Sequence, residues 1–426
     1  MLDRETTTAI IDSVDAGFAE QVALTAELVR FPSLRGDEHT AQDFLAGEMR
    51  RRGLAVDRFP VRVEDISSLP GFSPVHVSYD NVFNVVGSHR AETVKGRSLI
   101  LNGHIDVVPV GPLDMWTTPP FEPRREGKWL YGRGSGDMKA GLVGCLAALD
   151  ALERAGYRPA ADVFVQSVVE EECTGNGALA CLARGYRAEA ALIPEPNWDK
   201  LLTAQVGVLW FQVHVRGIPV HVREAGAGAN AIEAAFGLMQ ALHGLEEEWN
   251  RRQASYPPFD KVEHPINLNV GKIAGGDWPS SVPAWCTFDV RVAVYPGQDI
   301  AEAKREIERT IQGAARKNRF LDNSPPEIVY HGFEAEGYLL KDAETQVSTL
   351  AAAHRAVFGS DLEEVAVTGT TDARFFGLYA GIPALVYGPY SESIHGFDER
   401  VDLDSTRRVT KVMAMFIADW CGLEKK

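Results

Sequence analysis

The chain has 426 residues, more than one hydrophobic core usually serves, so two domains are expected. Apolar content of 45% and charged content of 24% are ordinary for a globular protein. With 59 acidic against 43 basic residues the formal charge is −16, which argues against nucleic acid or an anionic membrane as partner, because no basic excess exists to neutralise phosphates.

Taken in chain order, the apolar positions from Ser13 to Arg30 fit a helix that stops before Phe31-Pro32, and a second helix fits Thr40 to Arg52. Ser98 to Leu101 reads as a buried strand, with His104 directly after it. Gly136 to Gly156 has helical spacing and is entered through a glycine-rich turn. Val163 to Val169, Ala190 to Ile193 and Ala384 to Tyr387 are short continuous apolar runs, as buried parallel strands are. Strands alternating with helices predict an α/β catalytic domain with a mostly parallel sheet.

The middle third has another rhythm. Leu209 to Val215 alternates as a half-buried strand, Asn230 to Asn250 is a helical repeat, strands follow near Pro265 to Ile273 and Thr287 to Val294, and Asp299 to Arg316 is again helical. This order predicts an inserted α+β domain over 208–323, leaving 1–207 and 324–426 as the catalytic part, with Asn323-Ser-Pro-Pro as exit linker.

The five cysteines are scattered and show no C-x-x-C pair, so neither a disulfide framework nor a zinc knuckle is expected. The acidic, polar N-terminus has no signal-peptide core, no apolar run approaches the ~20 residues of a membrane span, and a cytoplasmic location is expected.

Six positions stand at the ends of apolar runs: His104, Asp137, Glu171, Glu172, Glu195 and His395. Carboxylates are costly to bury unless a positive partner is near, and a pair of divalent cations is the simplest such partner. In His104-Ile-Asp106 the two side chains share a face in extended chain, so Asp106 can fix the imidazole's tautomer. Asp137, within Gly132-Arg-Gly-Ser-Gly-Asp-Met-Lys-Ala-Gly141, either bridges two cations or caps a tight strand-to-helix turn; the spacing does not fit a phosphate loop. Glu170-Glu171-Glu172 is either an exposed acidic turn or, after so apolar a strand, the source of both a ligand and a base that is not a ligand. Glu195 and His395 gain force only from the joint pattern.

In this order, His104-x-Asp106, Gly136-Asp137-Met-Lys, Glu171-Glu172, Glu195-Pro and His395 resemble the metallopeptidase and deacylase family that includes acetylornithine deacetylase, succinyl-diaminopimelate desuccinylase, aminoacylase and the glutamate carboxypeptidases. The resemblance implies a zinc-exopeptidase-like catalytic domain with a ferredoxin-like lid. It implies one cation on His104, Asp137 and Glu195, a second on Glu172, His395 and the bridging Asp137, Asp106 orienting His104, and Glu171 as general base. It also implies a cis peptide after Asp137 and two zinc ions, with cobalt or manganese able to serve. Gly217-Ile-Pro-Val-His221 with Gly228-Ala-Asn-Ala-Ile232 is similar to the family segment whose histidine helps to hold the oxyanion, sometimes from a partner subunit, and a homodimer through the insert is implied. Arg291 and Arg374 are candidates for a substrate carboxylate. Ser280 stands where many members carry asparagine, and Val220 where a small residue usually precedes the histidine, so substrate identity transfers less well than hydrolysis. The expected reaction is hydrolysis of an N-acyl amino acid or N-acylated small amine. A dipeptidase or carboxypeptidase, and a deformylase or aryl-amine hydrolase, are the alternatives, and a metal-free binding protein is the rival class.

Overall fold

The computed structural model describes residues 2–426. Its larger sheet has nine strands, in the order Ala55–Pro60, Phe83–His89, Val163–Val168, Leu99–His104, Ala190–Ile193, Ala384–Val386, Leu201–Gln205 and Tyr338–Leu339, with Glu364–Val367 also paired to Leu201–Gln205. At the centre the strands are parallel: Leu99–His104 lies between Val163–Val168 and Ala190–Ile193, and Ala384–Val386 extends the parallel run. Towards the edges the pairing turns antiparallel, except that Glu364–Val367 runs parallel to Leu201–Gln205. Every residue of the three central strands is buried. That is why they read as unbroken apolar runs and not as alternation.

The helices Arg4–Val29, Ala140–Arg154 and Leu403–Cys421 pack on one another and share one core with the sheet. The first starts earlier than the apolar pattern suggests, because the Asp3 carboxylate caps it and accepts from the Thr6 amide at 2.8 Å. The helix expected from Gly136 starts at Ala140, after an irregular turn over Ser135–Lys139 in which Asp137 and Met138 are not helical.

The insert is a second unit with its own core. Four antiparallel strands run in the order Leu268–Gly275, Trp285–Val294, Gly207–Arg216 and Glu327–Ala335, and the helices Ala231–Asn250 and Ile300–Ala315 cover one face. Alternation divides the strands: Phe211, Val213, Phe288 and Val290 enter the core, and Trp210, Gln212, Asp289 and Arg291 take the other face. Each buried phenylalanine stabilises this core by about 1.5–3 kcal/mol. The fourth strand comes from beyond residue 323, so Asn323-Ser-Pro-Pro326 is a helix-to-strand connection inside the insert sheet's own chain path.

All five cysteines are unpaired. No helix among the described residues is long and apolar enough to cross a membrane.

Candidate metal centre

The site is assembled where the central parallel strands end. His104 is the last residue of its strand, Glu171 and Glu172 follow the neighbouring strand Val163–Val168, and Glu195 follows Ala190–Ile193. Ligands collect there because loops leaving parallel strands converge at the carboxyl edge. Two glycines let Glu195 approach: a Cβ on Gly141 would meet the Pro194 carbonyl oxygen at 2.0 Å, and one on Gly388 would meet that of Glu195 at 2.1 Å. The peptide Asp137–Met138 is cis.

His104 Nε2 lies 3.1 Å from Asp137 Oδ1, 3.7 Å from Glu195 Oε2 and 3.9 Å from Glu171 Oε2. The other Asp137 oxygen lies 3.4 Å from His395 Nε2, which is 3.0 Å from Glu172 Oε2. Asp137 therefore addresses one imidazole with each oxygen. His104 Nδ1 meets the Asp106 carbonyl at 2.9 Å and its carboxylate at 3.6 Å. That carboxylate also accepts from the amides of Glu171, at 3.3 Å, and Glu172, at 3.1 Å, so one buried side chain fixes both a histidine and the acidic turn. Three adjacent acids avoid one another because Glu170, with φ of 66°, turns away into a pocket where Arg35 Nη2 donates at 2.8 Å and the Tyr79 hydroxyl at 2.6 Å.

Burial pushes the Glu171 carboxyl well above its ordinary range and that of Glu195 up to about 7. The negative charge of Glu172 is the largest cause holding His395 up, at about 11. Burial works against protonation of His104, but Glu195 and Asp137 outweigh it and raise its pKa well above the ordinary value.

Two supporting residues give no motif in the sequence. Glu399 Oε1 accepts from the amides of Gly136 and Asp137, each at 3.0 Å, and Arg133 Nη1 donates to its other oxygen at 2.6 Å. This buried pair clamps the turn that presents Asp137. The signal in the sequence is no more than a glutamate four residues after His395 and an arginine four before Asp137.

The structure brings Asp137, Glu171, Glu172, Glu195 and His395 to one cavity of about 1160 Å³, and Arg291 lines the same cavity from the insert. His221 and Ser280 do not line it. His221 is exposed and caps a short turn through the Arg223 amide, and Ser280 lies next to it, its carbonyl accepting from Val222. Arg374 does not line the cavity either: it is 1% exposed, donates to the Thr174 carbonyl at 2.8 Å and stacks on Phe375.

Ligand atoms of His104, Glu171 and Glu195 lie within 4.8 Å of one another, as do those of His104, Asp137 and Glu172. Imidazole and carboxylate donors this close, one carboxylate addressing two imidazoles, fit a pair of divalent cations. Such a centre at the carboxyl edge of a parallel sheet defines a metal-dependent hydrolase. Residues 100–419 match peptidase family M20/M25/M40, and the chain belongs to that family.

Among curated relatives, the N-formyl-4-amino-5-aminomethyl-2-methylpyrimidine deformylase of Halalkalibacterium halodurans is 29% identical over 440 residues, covering 98% of each chain. The enzyme of that name from Bacillus subtilis is 28% identical over 406 residues, covering 90% of each. Among solved structures, the di-peptidase Dug1p of Saccharomyces cerevisiae superposes with a TM-score of 0.80 at 15% identity over 97% of this chain and 98% of that one. Human carnosine dipeptidase 1 gives 0.79 at 15% identity over 97% and 99%. These two establish likeness of fold.

Proposed function

We propose that the chain hydrolyses the amide bond of an N-acylated small amine, with an N-formyl amine as the first candidate. The observation that carries this is Asp137 standing between His104 and His395 with the buried Glu171 carboxyl beside them at the cavity. The full-length similarity to two deformylases supports formyl as the acyl group.

In this reading His104, Asp137 and Glu195 would hold one cation, and Glu172, His395 and Asp137 would hold the other. The donor set suits zinc, with cobalt or manganese as substitutes. Cations bound there supply a polarised amide carbonyl and water whose pKa is lowered toward neutrality. Glu171, which stands 3.9 Å from His104 Nε2 at the cavity and is not assigned to either cation, accepts a proton from the attacking water and returns it to the leaving amine. Asp106 keeps the His104 ring in one orientation.

His221 is assigned to the oxyanion, reached from the insert of a second copy. Exposed Ile218, Val222, Phe236 and Trp278 on the insert support a homodimer there. Unpaired cysteines suit a reducing compartment, and the cytoplasm is the proposed location.

A dipeptidase is the second reading. Arg291 favours it, because a guanidinium that lines the cavity and spends its bonds on the carbonyls of Asn267 and Thr368 still carries an unneutralised charge for a carboxylate. A hydrolysis screen with N-formyl, N-acetyl and N-succinyl amines and dipeptides, with zinc, cobalt or manganese added, decides between them. Cleavage of N-formyl amines is expected; cleavage of dipeptides alone would replace the first reading by the second.

A further inference from the structure

The outward face of the insert sheet forms the cavity wall that carries Arg291, and the same strand places Asp289 on that wall two residues earlier. Asp289 is held by neutral donors. Gln212 Nε2 donates to its two oxygens at 3.0 and 3.1 Å, and His331 Nε2 meets Oδ1 at 3.2 Å. Gln212 is itself fixed by His214, whose Nε2 lies 2.6 Å from Gln212 Oε1. Burial outweighs the pull of the Asp289 charge and holds His331 below its ordinary 6.5. Lys272 is opposite Asp289 in strand register but is exposed and forms no ion pair among the described residues. Asp289 thus presents an oriented carboxylate, with no lysine or arginine paired to it, to the interior of the cavity.

Beside it the wall is aromatic. Trp210 stands opposite Arg291 in register and meets Phe333 edge to face, with ring centroids 5.2 Å apart. A carboxylate accepts up to about four hydrogen bonds, and three contacts are taken here, so room for an N–H donor remains. An aromatic wall with an acceptor at its edge suits a flat ring that carries an amino group.

We propose that Asp289 is a specificity-determining residue that accepts an N–H bond from the leaving-amine half of the substrate, an amino-substituted aromatic heterocycle packed against Trp210 and Phe333. This rests on the reading of the enzyme as an N-acyl amine hydrolase, agrees with the aminopyrimidine in the names of the two deformylase relatives, and adds the residue that would recognise it. The carboxylate acts in binding and takes no part in bond breaking. Its removal takes away the acceptor of the ring's N–H, an effect that appears in KM more than in kcat.

The test uses the zinc-loaded full chain and two probes, an N-formyl-aminomethyl-aminopyrimidine and N-formylbenzylamine. The wild-type protein should prefer the first by at least about tenfold in kcat/KM, and Asp289→Asn should reduce that preference at least about tenfold, through KM. Asp289→Glu should restore part of it, which a merely structural role would not do. Calorimetric titration with the two free amines reads the same contact without turnover, and thermal denaturation checks that each variant folds. An unchanged preference in Asp289→Asn, with equal affinity for the aminopyrimidine, would overturn the proposal. If neither formyl compound is cleaved but aminopyrimidine binding still depends on Asp289, the reaction is misread and the recognition stands.

Discussion

On one wall of the cavity, main-chain amides lock the acids in place: Asp106 accepts from those of Glu171 and Glu172, and Glu399 from those of Gly136 and Asp137. On the facing wall, Asp289 is held by the side chains of Gln212 and His331, on a sheet whose register alone sets their spacing. A group locked through backbone cannot move without moving a strand end. One held by neighbouring side chains can be exchanged while the sheet stays as it is. The first wall therefore suits chemistry that stays constant, and the second suits a choice of substrate.

The sharpest break falls on the locked wall. Glu171→Gln should lower kcat by about 10²–10⁴-fold while metal content by elemental analysis stays at the wild-type level, since a general base contributes to the barrier and not to ligation. Retention of most of the activity would show that the base is misassigned. His221→Ala should lower kcat by about 10²–10³-fold with little loss of metal, and mixing it with Glu171→Gln should recover activity if the histidine crosses between subunits. Size-exclusion chromatography with light scattering checks the dimer that this requires.

Glu399→Gln is the test of the clamp. It keeps the shape but weakens the acceptor for the Gly136 and Asp137 amides, and metal affinity in a buffered titration should fall about 10–100-fold. A fall confined to stability, with affinity intact, would separate the clamp from the centre.

The smallest effect lies in the insert at Glu246, which does not itself line the cavity but bonds to His264, which does. Burial raises the Glu246 carboxyl, but His243, the Leu268 amide and His264 outweigh it and hold the pKa below its ordinary 4.5. A depressed carboxylate contributes stability that is complete above pH 4.5 and is lost as pH falls through the folded-state value. Glu246→Gln should cost about 1 kcal/mol at pH 7 after allowing for solvent screening, and the gap in denaturation midpoint between variant and wild type should close as the pH falls below 4.5.

The same contrast explains what was legible in the sequence. The metal-facing acids could be found because each follows a strand whose burial leaves an apolar run in the chain, and a carboxylate after such a run stands out. Arg133 and Glu399 gave no such mark, because a buried ion pair between residues this distant in the chain exists only after folding. That Arg374, two residues after an aspartate in T-T-D-A-R, is buried against Phe375 and the Thr174 carbonyl is set by tertiary packing, which the local pattern does not show. In the insert, alternation showed which residues leave the core. That Gln212 pairs with Asp289, and that His331 reaches it from a third strand, depends on register, to which local pattern is blind. The C-terminal helix Leu403–Cys421 gave no reading, and nearly all of it is buried under the sheet's other helices.

One loop near the end of the chain carries both His395 and Glu399, and Arg133 Nη2 further ties it down through the Gly396 carbonyl at 3.0 Å. On a ribosome, His104 and all four acids of the centre, Asp137, Glu171, Glu172 and Glu195, emerge long before that loop does. A polypeptide that stops short of this loop therefore holds an incomplete and unclamped centre, and hydrolytic competence has to wait for a segment more than 200 residues further along than His104 and the first acids.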